Sequence, residues 1–193
     1  MRIAALTLAA AILASVSPEA QSLPQRRTTL SIQQELQGLS NYGVFDYLAV
    51  GLDRGKVTLT GYSYNSGLKS RATRAMKNIP GVDEVANHIE DLPASSFDDR
   101  IRWATFGRIY GDGFLSRYAP GGSMAVYDAL YQAARFPGTQ PFGDYPIHII
   151  VKNGRTTLHG TVASEMDKRM AGFKAREVGG VFNVDNQLVV DNN

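Results

Sequence analysis

The sequence predicts an α+β protein of two tandem α-β-β-α-β units, the second carrying a helical insert. Three observations predict it. First, the chain repeats itself. Laying residue 48 on residue 147 and stepping along without a gap puts Gly55 on Gly154, Gly61 on Gly160 and Gly81 on Gly180. Leu59 then falls on Leu158, Lys69 on Lys168, Ala72 on Ala171, Val85 on Val184 and Asn87 on Asn186. A match over about 44 positions with glycines in step is the signature of one unit written twice. Second, each copy opens on the same hairpin, "LDRGKVTLTG" (52–61) and "VKNGRTTLHG" (151–160). Third, each hairpin stands between two segments with helical apolar spacing and is closed by a further strand.

The chain opens on Arg2 and an uncharged run from Ile3 to Val16. At about 14 residues this run is too short to cross a bilayer and fits the apolar part of a secretory signal. Ala20-Gln21-Ser22 offers cleavage after Ser22, with a cut after Ala20 as the competitor. The expected organisation is a signal peptide over 1–22, a first unit over 28–92 and a second over 95–191 with an insert at about 111–145. In the first unit, Ser31 with Gln34 reads as a capping box opening a helix whose stripe is Ile32, Leu36 and Leu39. Leu48, Val50 and Leu52 alternate on one strand, and Val57 and Leu59 on the next. Arg54-Gly55 makes the two-residue turn, whose positive φ angles Gly and Asn accept cheaply. Leu68, Ala72, Met76 and Ile79 mark the second helix, and Val85 and Ile89 a third strand. A single helical crossover favours a third strand parallel to the second.

The second unit repeats this with Ser96 and Asp99 capping a helix to about Tyr110. Ile147, Ile149 and Val151 face Leu158 across Asn153-Gly154. Ser164 with Asp167 forms a capping box for a helix with Met166, Ala171, Ala175 and Val178 inward. Val184, Leu188 and Val190 mark the last strand. Within the insert, Pro120-Gly121-Gly122 breaks the chain, and Ser123 caps a helix from Met124 to about Arg135 with Val126, Leu130 and Ala133/Ala134 on its apolar side. The insert reads either as a lid over its own copy's apolar surface or as a partner-docking loop.

Composition excludes several function classes. Formal net charge is +2 over 193 residues, too weak for a nucleic-acid partner. Loss of residues 1–22 removes Arg2 and Glu19 and leaves that charge unchanged. No later stretch is apolar enough for a membrane span. There are no cysteines, hence no disulfide, thiol nucleophile or lipidated cysteine. Nucleophile-elbow, Walker and zinc-protease patterns are missing, so no catalytic residue and no cofactor is expected. The turn at Asn153-Gly154 pairs His148 with His159, opposite in face to Ile149 and Leu158. Spacing suggests no third ligand, so no metal is expected, and the pair reads as cross-strand neighbours on an open or inter-domain face. Asp98 and Asp99 favour a helix N-terminus. Asn87 and Asn186 read as structural, bonding backbone at a strand end.

The hairpin "G-x-V-x-L-x-G", the helix and the closing "G-V-x-x-V-x-N-x-[IL]", over Arg54 to Ile89 and again over Asn153 to Leu188, resemble the BON domain. The resemblance implies a non-enzymatic, exported bacterial envelope protein of the periplasm, of a kind associated with osmotic or envelope stress. It implies anionic phospholipid or envelope proteins as partners. In a lipid-binding tandem member of that family the first helix of the second copy is the membrane contact. Here that helix, "DDRIRWATFGRIYG", carries Arg100, Arg102, Trp103, Phe106 and Arg108, the lipid-binding candidates. Basic residues beside aromatics suit a headgroup layer. The competing reading packs Trp103 and Phe106 under the insert. The alternative function is a soluble periplasmic stress or chaperone-like interaction module without membrane contact.

Overall fold

The structure, a computed structural model, describes residues 23–191; the expected signal peptide lies outside the described residues. The elements run α1 (Leu23–Gln37), β1 (Tyr47–Asp53), β2 (Lys56–Ser63), α2 (Leu68–Lys77), β3 (Glu84–Asp91), α3 (Ser96–Tyr110), a 3-10 turn (Ser116–Tyr118), α4 (Gly122–Arg135), β4 (Ile147–Lys152), β5 (Arg155–Val162), α5 (Glu165–Arg176), β6 (Asn183–Asn186) and β7 (Val189–Val190). This is the expected pair of α-β-β-α-β units with a helical insert. The described chain divides into two compact units, 23–42 with 48–91, and 43–47 with 92–191. Residues 43–47, which the expected first unit over 28–92 includes, thus belong to the unit of the second copy.

In the first unit the sheet order is β1-β2-β3, and β3 runs parallel to β2 from Lys56↔Glu84 to Ser63↔Asp91. The expected stripe of α2 is fully realised: Leu68, Ala72, Met76 and Ile79 are buried with Val57, Leu59 and Ile89. Ile32 and Leu36 of α1 join this core, whereas Leu39 is only half-buried. The Ser31–Gln34 box is corrected, because α1 begins eight residues earlier, at Leu23. No residue between them breaks a helix, and Pro24 falls in the first turn, where its missing N–H costs nothing.

The second unit repeats the registers. β4 and β5 pair antiparallel through Lys152↔Arg155 and His148↔His159, and β5 pairs parallel with β6 from Arg155↔Asn183. The third strand is broken here: pairing lapses at Gln187 and Leu188 and resumes as β7, at Thr161↔Val189. Repeat positions share their backbone. Arg54 and Asn153 have φ of 45° and 53°, and Gly61 and Gly160 of 124° and 119°. Glycine is required at Gly160, since an added Cβ would also stand 2.0 Å from the Pro146 carbonyl oxygen. Asn87 and Asn186 do the expected structural work. Each donates its side-chain amide to the helix before it, Asn87 to Lys69 C=O at 2.9 Å and Asn186 to Lys168 C=O at 2.7 Å. Each then accepts from the backbone N–H two residues on.

Three local expectations in this unit are corrected. The cap of α3 is Ser95, whose side chain accepts the Asp98 N–H, so the cap lies one residue before Ser96. The N-cap of α4 is Gly121 in the left-handed region, φ 78°, and not Ser123. Met166 is exposed, because its neighbour Asp167 takes the inward position of α5. The Ser164 cap of α5 is as expected, accepting the Asp167 N–H at 3.2 Å. The buried Asp167 carboxylate also accepts from Ser164, Tyr118 and Arg117, which ties the insert to the start of α5. Burial alone would raise this carboxyl's pKa, but those hydrogen bonds and the Arg117 charge hold it below the usual range.

Candidate functional site

The sequence points to α3, and the structure gives it two unlike faces. Ser95 caps it, Asp98 and Asp99 stand in its first turn and Arg108 in its last, as the helix dipole favours. Asp98 does more. It is buried, and its carboxylate accepts the N–H groups of Asn153 and Gly154 at 2.9 and 2.8 Å. The helix start is therefore bolted to the hairpin tip, whose left-handed residues turn both donors outward.

The inner face holds Ile101, Arg102, Phe106, Ile109 and Tyr110, all buried. This corrects two of the lipid-binding candidates: Arg102 and Phe106 are each 0 % exposed and cannot touch a headgroup. Arg102 pairs with Asp99 and donates to the Val151 carbonyl. Phe106 sits among Phe45, Trp103, Tyr110 and Tyr145, with ring centroids 5.2–6.5 Å apart. Trp103 is half-buried, edge-on to Phe45 at 5.2 Å. Trp103, Phe106 and Tyr110, at i, i+3 and i+7, share one aromatic edge of the helix, and Phe45 and Tyr145 make it a core edge.

The same inner face completes the free edge of β4, where Ile147, Ile149 and Val151 turn their backbone groups away from β5. The Tyr110 hydroxyl accepts the Ile147 N–H and donates to the Ile147 C=O. The Ile149 N–H reaches the Val44 carbonyl at 2.8 Å. Arg102 takes the Val151 carbonyl. An edge so capped cannot recruit another strand. Burial raises the Tyr110 pKa well above its ordinary value and keeps this hydroxyl neutral.

The outer face presents Phe97, Arg100, Ala104 and Arg108, all exposed, on successive turns. With Ile101 and Val178–Gly180 they line an open cleft of about 450 Å³, which also holds Glu177. The Arg100 guanidinium lies 5.8 Å from the Phe97 ring. Phe97 in turn meets Phe182, which is 75 % exposed, at 6.0 Å. So of the five candidates, Arg100 and Arg108 share an accessible surface, Trp103 offers part of a ring, and Arg102 and Phe106 face inward. Phe97 and Phe182 went unnoticed because they meet only in three dimensions. Gly154 is the one sequence signal of their contact: a Cβ there would stand 2.6 Å from the Phe182 ring.

The histidine pair is closed rather than open. His148 and His159 are 2 % and 9 % exposed, with the Tyr47 ring stacked on His159 at 4.0 Å. Burial pushes both pKa values down to about 4. Among the described residues no group of three His, Cys, Asp or Glu could hold a metal, and no helix is long and apolar enough to cross a membrane.

Two copies of one small α-β-β-α-β module, the second with an open cleft along α3, define a tandem module. The chain belongs to the BON-domain family, whose model matches residues 48–90 and 133–192, more than half the sequence. No curated protein matches it. Among solved structures it is similar to CdsD of Chlamydia trachomatis, a structural protein of the type III secretion system. That likeness has 12 % identity over 85 % of this chain and 93 % of the other, at a TM-score of 0.27. The C-terminal domain of CdsD is similar at 14 % identity over 89 % of this chain and 99 % of the other, with a TM-score of 0.25. Superpositions this loose carry over neither fold nor function.

Proposed function

We propose that this chain is a non-enzymatic, exported envelope module of the periplasm that associates with anionic phospholipid through the outer face of α3. The observation that carries the reading is the placement of Arg100 and Arg108 on one exposed face with Phe97 and its partner Phe182. Guanidinium groups attract an anionic surface at about 1 kcal/mol each, and aromatic rings favour the headgroup layer. Membership of the BON-domain family supports a binding role, and the uncharged run Ile3–Val16 supports export. Trp103 lies to one side of this face, half-buried against Phe45 and Phe106.

Co-sedimentation with vesicles of phosphatidylglycerol against phosphatidylcholine tests the reading. Arg100→Ala with Arg108→Ala should weaken binding to the anionic vesicles about tenfold or more, taking 1.4 kcal/mol per decade. High salt should reproduce that loss. Trp103→Ala should lower the melting temperature more than it lowers binding, since it removes a ring packed edge-on against both Phe45 and Phe106. Wild-type protein that ignores anionic vesicles at low salt defeats the lipid reading. Protection of an unfolding client protein by the same sample would then favour the soluble, chaperone-like role.

A further inference from the structure

The insert forms a second surface that the repeated unit does not account for. At 100° per residue, Met124, Tyr127, Tyr131 and Arg135 fall within an arc of roughly 80° on α4. That arc points outward: Met124 is 78 %, Tyr127 67 % and Tyr131 58 % exposed. The opposite side holds Val126, buried, and Leu130, which packs over Gly107 of α3 with only 3.5 Å of room for a Cβ. The Arg135 guanidinium lies 5.6 Å from the Tyr131 ring and donates to its hydroxyl at 2.8 Å. The base of the insert is fixed, by Arg117 and Tyr118 to Asp167, by Lys174 to Asp112 at 2.9 Å, and by the buried Leu115. A helix fastened this firmly holds its aromatic stripe in a set place.

We propose that the outward stripe of α4 is an interfacial anchor that lies in the headgroup layer of a bilayer, with Met124, Tyr127 and Tyr131 directed to the acyl boundary and Arg135 to phosphate. The residue types fit that occupant. Tyrosine puts an apolar ring below and a hydroxyl above the interface, and a cation beside it suits the phosphates. Asp128 at the rim is the one acidic group on that arc. A second copy of the chain is the weaker occupant. Three side chains of roughly 150–250 Å² each, partly exposed, supply on the order of 400 Å² a side. A stable dimer needs about 800 Å² a side. The proposal rests on the lipid reading of α3 and adds a second signal to it, whose apolar side chains act independently of salt. Stable anchoring from weak elements takes two such signals.

The chain has no cysteine, so one can be placed at will and labelled with a polarity-sensitive dye. Tyr127→Cys on the stripe and Asp185→Cys, exposed on β6 on the sheet side away from α3, make the pair. On phosphatidylglycerol vesicles carrying a quenching lipid, the dye at position 127 should be quenched and the dye at position 185 should not. Met124→Ser, Tyr127→Ser and Tyr131→Ser together should weaken vesicle binding at least about tenfold (1.4 kcal/mol), equally at low and high salt. Each position is exposed, so an unchanged melting temperature checks the fold. Three results overturn the anchor. In the first, the protein binds vesicles with position 127 unquenched, which leaves the α3 reading standing. In the second, the wild type dimerises in solution and the triple variant does not, which makes a second copy the occupant. In the third, neither protein binds any vesicle, and the α3 reading falls as well.

Discussion

The two copies are the same machine built to different degrees of closure. Both turn their hairpins through left-handed residues, both register β-strands as Lys56↔Glu84 and Arg155↔Asn183, and both clasp helix to strand through one asparagine. They differ in what surrounds that scaffold. Where the first copy has Ala49 and Thr60, the second has His148 and His159 sealed under Tyr47. Where the first passes from helix to hairpin through the short segment 38–46, the second interposes the insert. Function is therefore expected in the second copy, on the outer face of α3 and on the insert, while the residues that the copies share keep the fold.

The largest effect should come from the shared core. Leu59 and Leu158 are both fully buried, and Leu59→Asp or Leu158→Asp places a carboxylate where nothing pairs with it. A loss of roughly 4 kcal/mol or more is expected, enough to unfold the copy that carries it. Amide exchange read copy by copy would show which one opens. Melting curves that match the wild type for both variants would break the equivalence of these strands.

Acid should separate the copies next. His148 and His159 titrate near 4 in the folded chain, below the ordinary 6.5, mainly because burial penalises the charged form. Mutual repulsion adds to this for His148, while Asp185 acts against it for His159. The unfolded chain thus binds more protons between those values. Stability from the pair is complete above pH 6.5 and lost as pH falls toward 4. The loss is about 3 kcal/mol for one histidine, at 1.36 kcal/mol per pKa unit. The first copy has no such pair. Melting temperature followed from pH 7 to 4 in wild type and in His148→Gln should show a steeper fall in the wild type. Parallel curves would mean that the imidazoles are hydrated.

The asparagine clasps test a finer difference. Asn87 also donates to the Thr73 hydroxyl at 2.6 Å, whereas the second copy has Gly172 at the corresponding place. Asn87→Ala should cost about 1–3 kcal/mol and Asn186→Ala less, since fewer buried partners are abandoned. Equal losses would show that the threonine bond adds nothing.

The smallest effect is a gain. Arg54 holds a left-handed φ of 45° that asparagine tolerates better than arginine does, and Asn153 is the second copy's own solution. Arg54→Asn should raise stability by roughly 0.5 kcal/mol, its exposed ion pair with Asp53 being worth little. A lowered melting temperature would count against the shared turn.

The sequence by itself determined the repeat, the hairpin register and the turn residues. Those follow from period-two and helical spacing, and from backbone angles that only a few residue types accept. Helix starts were less legible. Ser31, Ser96 and Ser123 each carry capping chemistry, but a serine caps only where the chain enters the helix: α1 is already helical from Leu23, and Ser95 and Gly121 cap α3 and α4. The candidate surface was legible as a helix and not as a face. Spacing put Arg102, Trp103 and Phe106 beside Arg100 and Arg108, yet which side turns to water depends on what packs against α3. Residues 43–47, the insert and the open edge of β4 decided that. The edge carbonyl of Val151 took Arg102, the Phe45–Tyr145 cluster took Phe106, and Asp98 went to the hairpin. These groups lie dozens of residues apart in the chain, and burial is a property of the neighbours that long-range contacts supply.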